Sequence, residues 1–233
     1  MHLFFTPDIG SADHYLLNEE ESRHCSRVLR LKKGDHIFLT DGKGALFETE
    51  VDSESQKRTM VRIINSIPGP DARNYRLHVG IAPTKNLNRL EWFLEKATEI
   101  GIDEITPLIC EHAERKSVPT DRMYRIMIAA MKQSLKTTLP VLHEPSRFSS
   151  FIKEPYDKVK FIAHYDQANQ HLKDNDTKGK DVIVLVGPEG DFSQGELHLA
   201  SEEGFKAVNL GSSRLRTETA GVVVCSLISL LNE

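Results

Sequence analysis

Two patterns of hydrophobic and polar residues divide the chain. Up to about residue 68, apolar residues fall in short alternating runs. The stretch HIFLTDGKGALFETEVDS holds two such runs around Asp41-Gly42-Lys43-Gly44, which has the composition of a hairpin turn. TMVRIINSI is a further run, closed by Pro68-Gly69-Pro70. Pro and Gly together break regular structure, so this triplet is the expected linker. The pattern predicts a small β-rich domain over residues 1–68.

From about residue 74 the period changes. RLHVGIAP is a strand, and Leu87, Leu90, Phe93, Leu94, Ala97 and Ile100 follow at helical spacing until Gly101 stops them. EITPLI predicts a strand and TDRMYRIMIAAMKQSL a helix. KVKFIAHY and DVIVLVG are two more strands. SQGELHLASEEG opens with Ser193 and Glu196 spaced as a capping box and ends at Gly204. KAVNLG and a helix from Thr217 to Leu231 complete the series. Strands that alternate with helices imply an α/β domain with a mainly parallel sheet, over residues 74–233.

Composition narrows the class. With 39% hydrophobic and 27% charged residues in 233, the chain reads as an ordinary soluble protein long enough for a sizeable core. Its net charge of −4 means that nucleic-acid binding, if present, needs a local basic patch. Cys25, Cys110 and Cys225 form no C-x-x-C pair, which fits a reducing cytoplasm. The opening MHLFFTPDIG lacks the features of a signal peptide, and no run is long enough to span a membrane. The ten histidines make no H-x-H or H-E-x-x-H arrangement, so no metal site is expected.

Four segments carry candidate chemistry. VLVGPEGDF places a Gly-rich turn between a buried strand and a capped helix, the position where open α/β sheets bind ligands. It is neither a dinucleotide fingerprint nor a phosphate loop. Glu189 and Asp191 repel a phosphate but tolerate a cationic ligand. The plainer account is a tight turn with Pro188 at its corner. LGSSRLRTETA repeats the plan about 24 residues later, so the two turns could share one pocket. Thr217 or Thr219 can cap the last helix, and Arg216 with Glu218 can be a structural ion pair. Residues 22–33 hold Arg23, His24, Arg27, Arg30, Lys32 and Lys33 with no acid. Such a run is usually a solvated face, but a small β domain is also a common vehicle for RNA contact. A second basic stretch, 73–89, includes Arg76 and Lys85. The last helix is apolar on nearly all sides and needs cover, part of it from another subunit.

GPEG at 187–190 followed by LRTETA at 215–220 resembles the RsmE-type 16S rRNA uridine-N3 methyltransferases of the SPOUT superfamily. HCSRVLRLKKGD, DGKG, EKATEIG, Pro107, Glu114-Arg115 and Gln133-Ser134 occur in the family's order, so the resemblance covers essentially the whole chain. It implies an N-terminal PUA-like β-barrel that binds RNA and an α/β domain with a deep trefoil knot. Topology rules on their own favour an unknotted sheet. It also implies a cytoplasmic homodimer acting on 16S rRNA or the assembled small ribosomal subunit, near the decoding region, with S-adenosyl-L-methionine as cofactor. The implied cofactor residues are Gly187, Pro188, Glu189, Gly190, Asp191, Leu210, Gly211, Ser212, Leu215 and Ala220. The implied RNA contacts are Arg23, His24, Arg27, Arg30, Lys32 and Lys85. The chain departs from the family at Asp191, where Gly is usual, at Ser213 and Arg214, and at Lys132 and Lys136.

Methylating uridine N3 requires loss of its proton and exposure of its pairing edge. Orientation of N3 and stabilisation of the uridinate then carry the reaction. Arg216 is the candidate for the charge. Glu218 either orients Arg216 or accepts the proton. The rival readings are a ribose 2′-O-methyltransferase of the same superfamily, a non-catalytic RNA-binding protein, and a nucleotide oxidoreductase, which the missing fingerprint disfavours.

Overall fold

The computed structural model of the chain describes residues 1–10, 12–166 and 168–233. The chain forms two units. The first comprises Met1–Ala72 with Met131–Leu139, and the second Arg73–Ala130 with Pro140–Glu233.

The N-terminal unit is a five-stranded sheet of β1 (Leu3–Phe5), β2 (His14–Leu16), β3 (His36–Thr40), β4 (Ala45–Ser53) and β5 (Met60–Pro68), ordered β1-β3-β4-β5-β2. Asp41-Gly42-Lys43-Gly44 joins β3 to β4, as its turn chemistry predicts. Alternate residues face inward, and Phe4, Leu17, Ile37, Leu39, Val51 and Val61 form the core. A short helix, α1 (Glu19–Arg23), is capped by Asn18 and passes into a π-helical turn over His24–Val28. Met131–Leu139, assigned from sequence to the second domain, belongs to this unit. Polar anchors hold it there. Asp71 accepts from the Thr137 N–H and hydroxyl, and the Thr40 hydroxyl donates to the Thr137 carbonyl at 2.9 Å. Lys132, where the family pattern differs, pairs with the buried Glu21 at 2.6 Å.

The second unit alternates β6 (Leu77–Ile81), α2 (Leu87–Ile100), β7 (Glu104–Ile109), α3 (Thr120–Gln133, shared with the first unit), β8 (Val141–Leu142), β9 (Ser146–Arg147), α4 (Phe148–Phe151), β10 (Val159–Ala163), β11 (Val182–Val186), α5 (Gln194–Glu202), β12 (Lys206–Val208) and α6 (Thr217–Asn232). Its strands are parallel in the order β12-β10-β11-β6-β7-β8, with β9 also paired to β7. The LHVGI of β6 and VIVLV of β11 are buried throughout, as central strands covered on both faces must be. The predicted capping box at Ser193 and Glu196 is formed. Helix α6 packs on α2, β6 and β11. Gly221 permits this, because a Cβ there would stand 2.6 Å from the Phe93 ring.

Candidate active site

The C-terminal ends of β10, β11 and β12 open into a cleft of about 290 Å³. Its walls come from three loops. The first follows β10 with Ala163, His164 and Tyr165. The second follows β11 with Val186, Gly187, Pro188, Glu189 and Asp191. The third follows β12 with Leu210, Ser213, Arg214, Leu215 and Arg216, and Thr217 and Ala220 of α6 close it. The two Gly-rich turns expected to share a pocket do share it. Gly190, Gly211 and Ser212 fall outside the lining residues, and a Cβ on Gly190 would face His112 at 3.2 Å. Gly211 has φ +137 with open space at its Cβ position, a backbone that L side chains resist and that lets a ligand approach closely.

Each loop is pinned by a few bonds. The Thr217 hydroxyl donates to the Gly187 carbonyl at 2.9 Å, tying the second loop to the start of α6. This corrects the expectation that a threonine side chain caps that helix. The N-cap is Arg216, with no side-chain cap bond. Glu189 accepts from the Lys85 N–H at 3.1 Å. Asp191 sits at φ 64, the left-handed conformation that explains why the family prefers Gly there. Aspartate is among the few other residues that adopt it, and here its carboxylate is held from both sides. One oxygen accepts from the Phe192 N–H at 2.8 Å, and the other lies 3.0 Å from His164 Nδ1. Tyr165 donates its hydroxyl to the Ser212 carbonyl at 3.0 Å. His164 and Tyr165 were not singled out in the sequence. They occupy the end of a strand, a position whose chemistry emerges only when neighbouring strand ends converge.

Arg216 and Glu218 do not pair with each other. Glu218 is buried in the first turn of α6, and its Oε1 lies 3.7 Å from Arg89 Nε on α2. Its Oε2 is buried without a hydrogen-bond partner among the described residues. Arg216 is exposed, lines the cleft and has no ion-pair partner among the described residues. The sequence could not foresee Arg89 as the partner, because it lies 129 positions away.

The basic candidates divide. Arg23 pairs with Glu19 at 3.0 Å, and Lys85 pairs with Glu114 at 2.8 Å, which raises the Lys85 pKa. His24 rests edge-on against Phe4, and burial and then the charge of Lys132 lower its pKa. The side chains of Arg27, Arg30 and Lys32 are exposed and without an acidic partner among the described residues. Val28 between them is 65% exposed.

An α/β unit with a cleft at its strand ends and a strand-rich unit with free cations have the layout of a two-domain RNA-modifying enzyme. Residues 71–229 match the RNA methyltransferase domain family and residues 17–63 the RNA methyltransferase PUA domain family. The chain therefore belongs to the RNA methyltransferase family and, within it, to the ribosomal RNA small subunit methyltransferases E. The enzyme of that name from Aquifex aeolicus is 30% identical, with 98% of this chain and 99% of the relative covered. A probable rRNA methyltransferase structure from Porphyromonas gingivalis is 40% identical with a TM-score of 0.92, covering 100% of this chain and 98% of that one. The Neisseria gonorrhoeae ribosomal RNA small subunit methyltransferase E, solved bound to S-adenosyl methionine, is 28% identical with a TM-score of 0.88 over 100% of this chain and 98% of that one. No helix among the described residues is long and apolar enough to cross a membrane.

Proposed function

We propose that this protein transfers a methyl group from S-adenosylmethionine to N3 of a uridine in 16S rRNA, near the decoding region of the small ribosomal subunit, in the cytoplasm. The observation that carries the reading is the convergence of both Gly-rich turns and Arg216 on one cleft. The lining suits the cofactor. Val186, Leu210, Leu215 and Ala220 offer apolar surface to a flat base, and Gly211 leaves room for backbone approach. Glu189 and Asp191 supply negative charge compatible with a sulfonium.

When bound, the cofactor supplies a methyl group on a positively charged sulfur. The residues of the chain do the rest. Arg216, unpaired at the cleft, holds negative charge on the uracil edge as N3 loses its proton. Glu218 pairs with Arg89 and not with Arg216, which favours the acceptor role over the orienting one. Its Oε2 has no hydrogen-bond partner among the described residues, and Glu218 itself lies outside the cleft lining, next in sequence to Thr217. Arg27, Arg30 and Lys32 of the first unit contact RNA phosphates, with Arg23 and His24 beside them in the chain, and Lys85 of the second unit is a separate RNA contact.

Three finer features belong to the same reading. The N-terminal sheet closes as a PUA-like barrel. The chain leaves the edge strand β12 and returns as α6 against β6 and β11, which supports a trefoil knot in this part of the domain. A homodimer covers α6, whose Val222, Val223 and Leu227 are half-buried and whose Leu230 is 65% exposed.

Tritiated S-adenosylmethionine with small subunits from a strain lacking the protein tests the reaction, followed by mass mapping of the labelled nucleotide. N3-methyluridine is expected. A ribose 2′-O-methyl product, or no transfer, overturns the reading.

A further inference from the structure

The sheet has a second polar cluster, at the opposite ends of its strands. His78 near the start of β6, Glu104 at the start of β7 and His143 just after β8 bring two imidazole nitrogens and a carboxylate oxygen within 4.8 Å of one another. None of these residues touches the cleft chemistry, and the sequence shows no metal motif at them. Their separations of 26 and 39 positions are closed only by the parallel sheet.

Four features suit a cation there. His143 Nε2 lies 3.0 Å from Glu104 Oε2, a spacing compatible with two ligands of one ion. His78 is 3% exposed, and its Nδ1 has no hydrogen-bond partner among the described residues while it faces the same Oε2 at 3.9 Å. Its other nitrogen is occupied by the Thr106 hydroxyl at 2.8 Å, which fixes the ring with Nδ1 turned to the carboxylate. Lys158 takes the remaining oxygen, Oε1, at 2.7 Å, so Oε2 is left for the imidazoles.

The surroundings reinforce this. Phe151 and Tyr156 stand edge-on to the His78 ring at 5.4 and 6.0 Å and shield it from water.

We infer that His78, Glu104 and His143 form a binding site for a divalent transition ion of the zinc type, independent of the methyl-transfer cleft. Two imidazoles and one carboxylate are a ligand set suited to such an ion, with bonds of roughly 2.0–2.2 Å and a fourth place for water. His143, 40% exposed in its side chain, is the ligand free to close the remaining distance. The carboxylate charge is already shared with Lys158, which weakens its hold on the ion. A bound ion ties together the starts of β6 and β7 and the segment after β8, and stabilises the sheet by linkage.

The test uses the full chain with zinc chloride, followed by calorimetry and thermal unfolding, with cobalt absorption as a second probe. Wild type is expected to take up one ion per chain, with a raised Tm and a cobalt spectrum of nitrogen and oxygen ligation. His143→Ala lies at a part-exposed position and should weaken zinc by at least about 10-fold, the scale on which even outer partners of a metal act. Glu104→Gln should do the same. His198→Ala removes an exposed His-Glu pair on α5 that can also hold ions and should change nothing. No zinc-dependent Tm shift in wild type overturns the site. So does a shift that survives His143→Ala or disappears with His198→Ala, because the ion is then an adventitious ion only.

Discussion

The two ends of the parallel sheet use similar residues in opposite ways. At the starts of its strands, Glu104 is bound by Lys158 and His143, and His78 is walled by aromatic rings. At the ends of its strands, the polar groups surround an open cleft. Arg216 lines it without an ion-pair partner among the described residues and Asp191 lines it in left-handed backbone, while Glu218 and Gly211 stand next in the chain to lining residues. Charged groups that satisfy one another contribute to the fold. At the open end Glu218 and Asp191 also keep partners, in Arg89 and His164, and the cation that stands without one beside the cavity is Arg216.

The sharpest way to break this contrast is at the open end. Glu218→Gln should slow methyl transfer by about 10² to 10⁴, the range for a lost general base. Arg216→Ala should cost about 10² to 10³, the scale of a lost charge-stabilising donor. Both are read in single-turnover assays, with cofactor affinity by calorimetry nearly unchanged. A wild-type rate in either variant would make that residue structural. Arg214→Ala should cost far less than Arg216→Ala, because the family's arginine does not stand at that position.

Packing beneath the cleft is the next test. Gly221→Ala places a methyl group 2.6 Å from the Phe93 ring, so overpacking of about 1–3 kcal/mol is expected. Urea unfolding measures it, and an unchanged midpoint would show that α6 has room to move on α2.

The closed end should respond to acid. His78 is lowered from 6.5 to about 3, chiefly by burial. The unfolded chain therefore binds a proton that the native chain refuses, and stability falls as pH drops below 6.5 towards 3. Glu104 is lowered from 4.5 to about 2 and adds its own loss below pH 4.5. Between pH 6.5 and 5 the slope from His78 is at most about 1.4 kcal/mol per pH unit. Thermal unfolding across that interval measures it, and a flat profile would contradict the neutral, buried imidazole.

The smallest effect concerns a single bond. Thr217→Val removes the hydroxyl that links α6 to the Gly187 carbonyl and should cost about 0.5–1.5 kcal/mol. Cofactor affinity should weaken in proportion, because this bond holds two walls of the cleft together. Unfolding and calorimetry on the same variant separate the two losses.

Local pattern alone was enough for much of the molecule. Alternation and Pro68-Gly69-Pro70 marked the first sheet, and 3.6-residue spacing marked α2. Ser193 and Glu196 announced α5, and the two Gly-rich turns announced the cleft. Each of these depends on neighbours in sequence, where steric and hydrogen-bond preferences act directly. The tertiary structure decided what depends on distant partners. Met131–Leu139 joined the first unit because Asp71 and Thr40 anchor Thr137. Thr217 became a tie between loops instead of a cap because the Gly187 carbonyl lay within reach. Glu218 took Arg89 in place of Arg216, and His78, Glu104 and His143 met where the strands β6 and β7 begin. Such pairings are fixed by which strands lie side by side, and the order β12-β10-β11-β6-β7-β8 cannot be read from any one stretch of the chain.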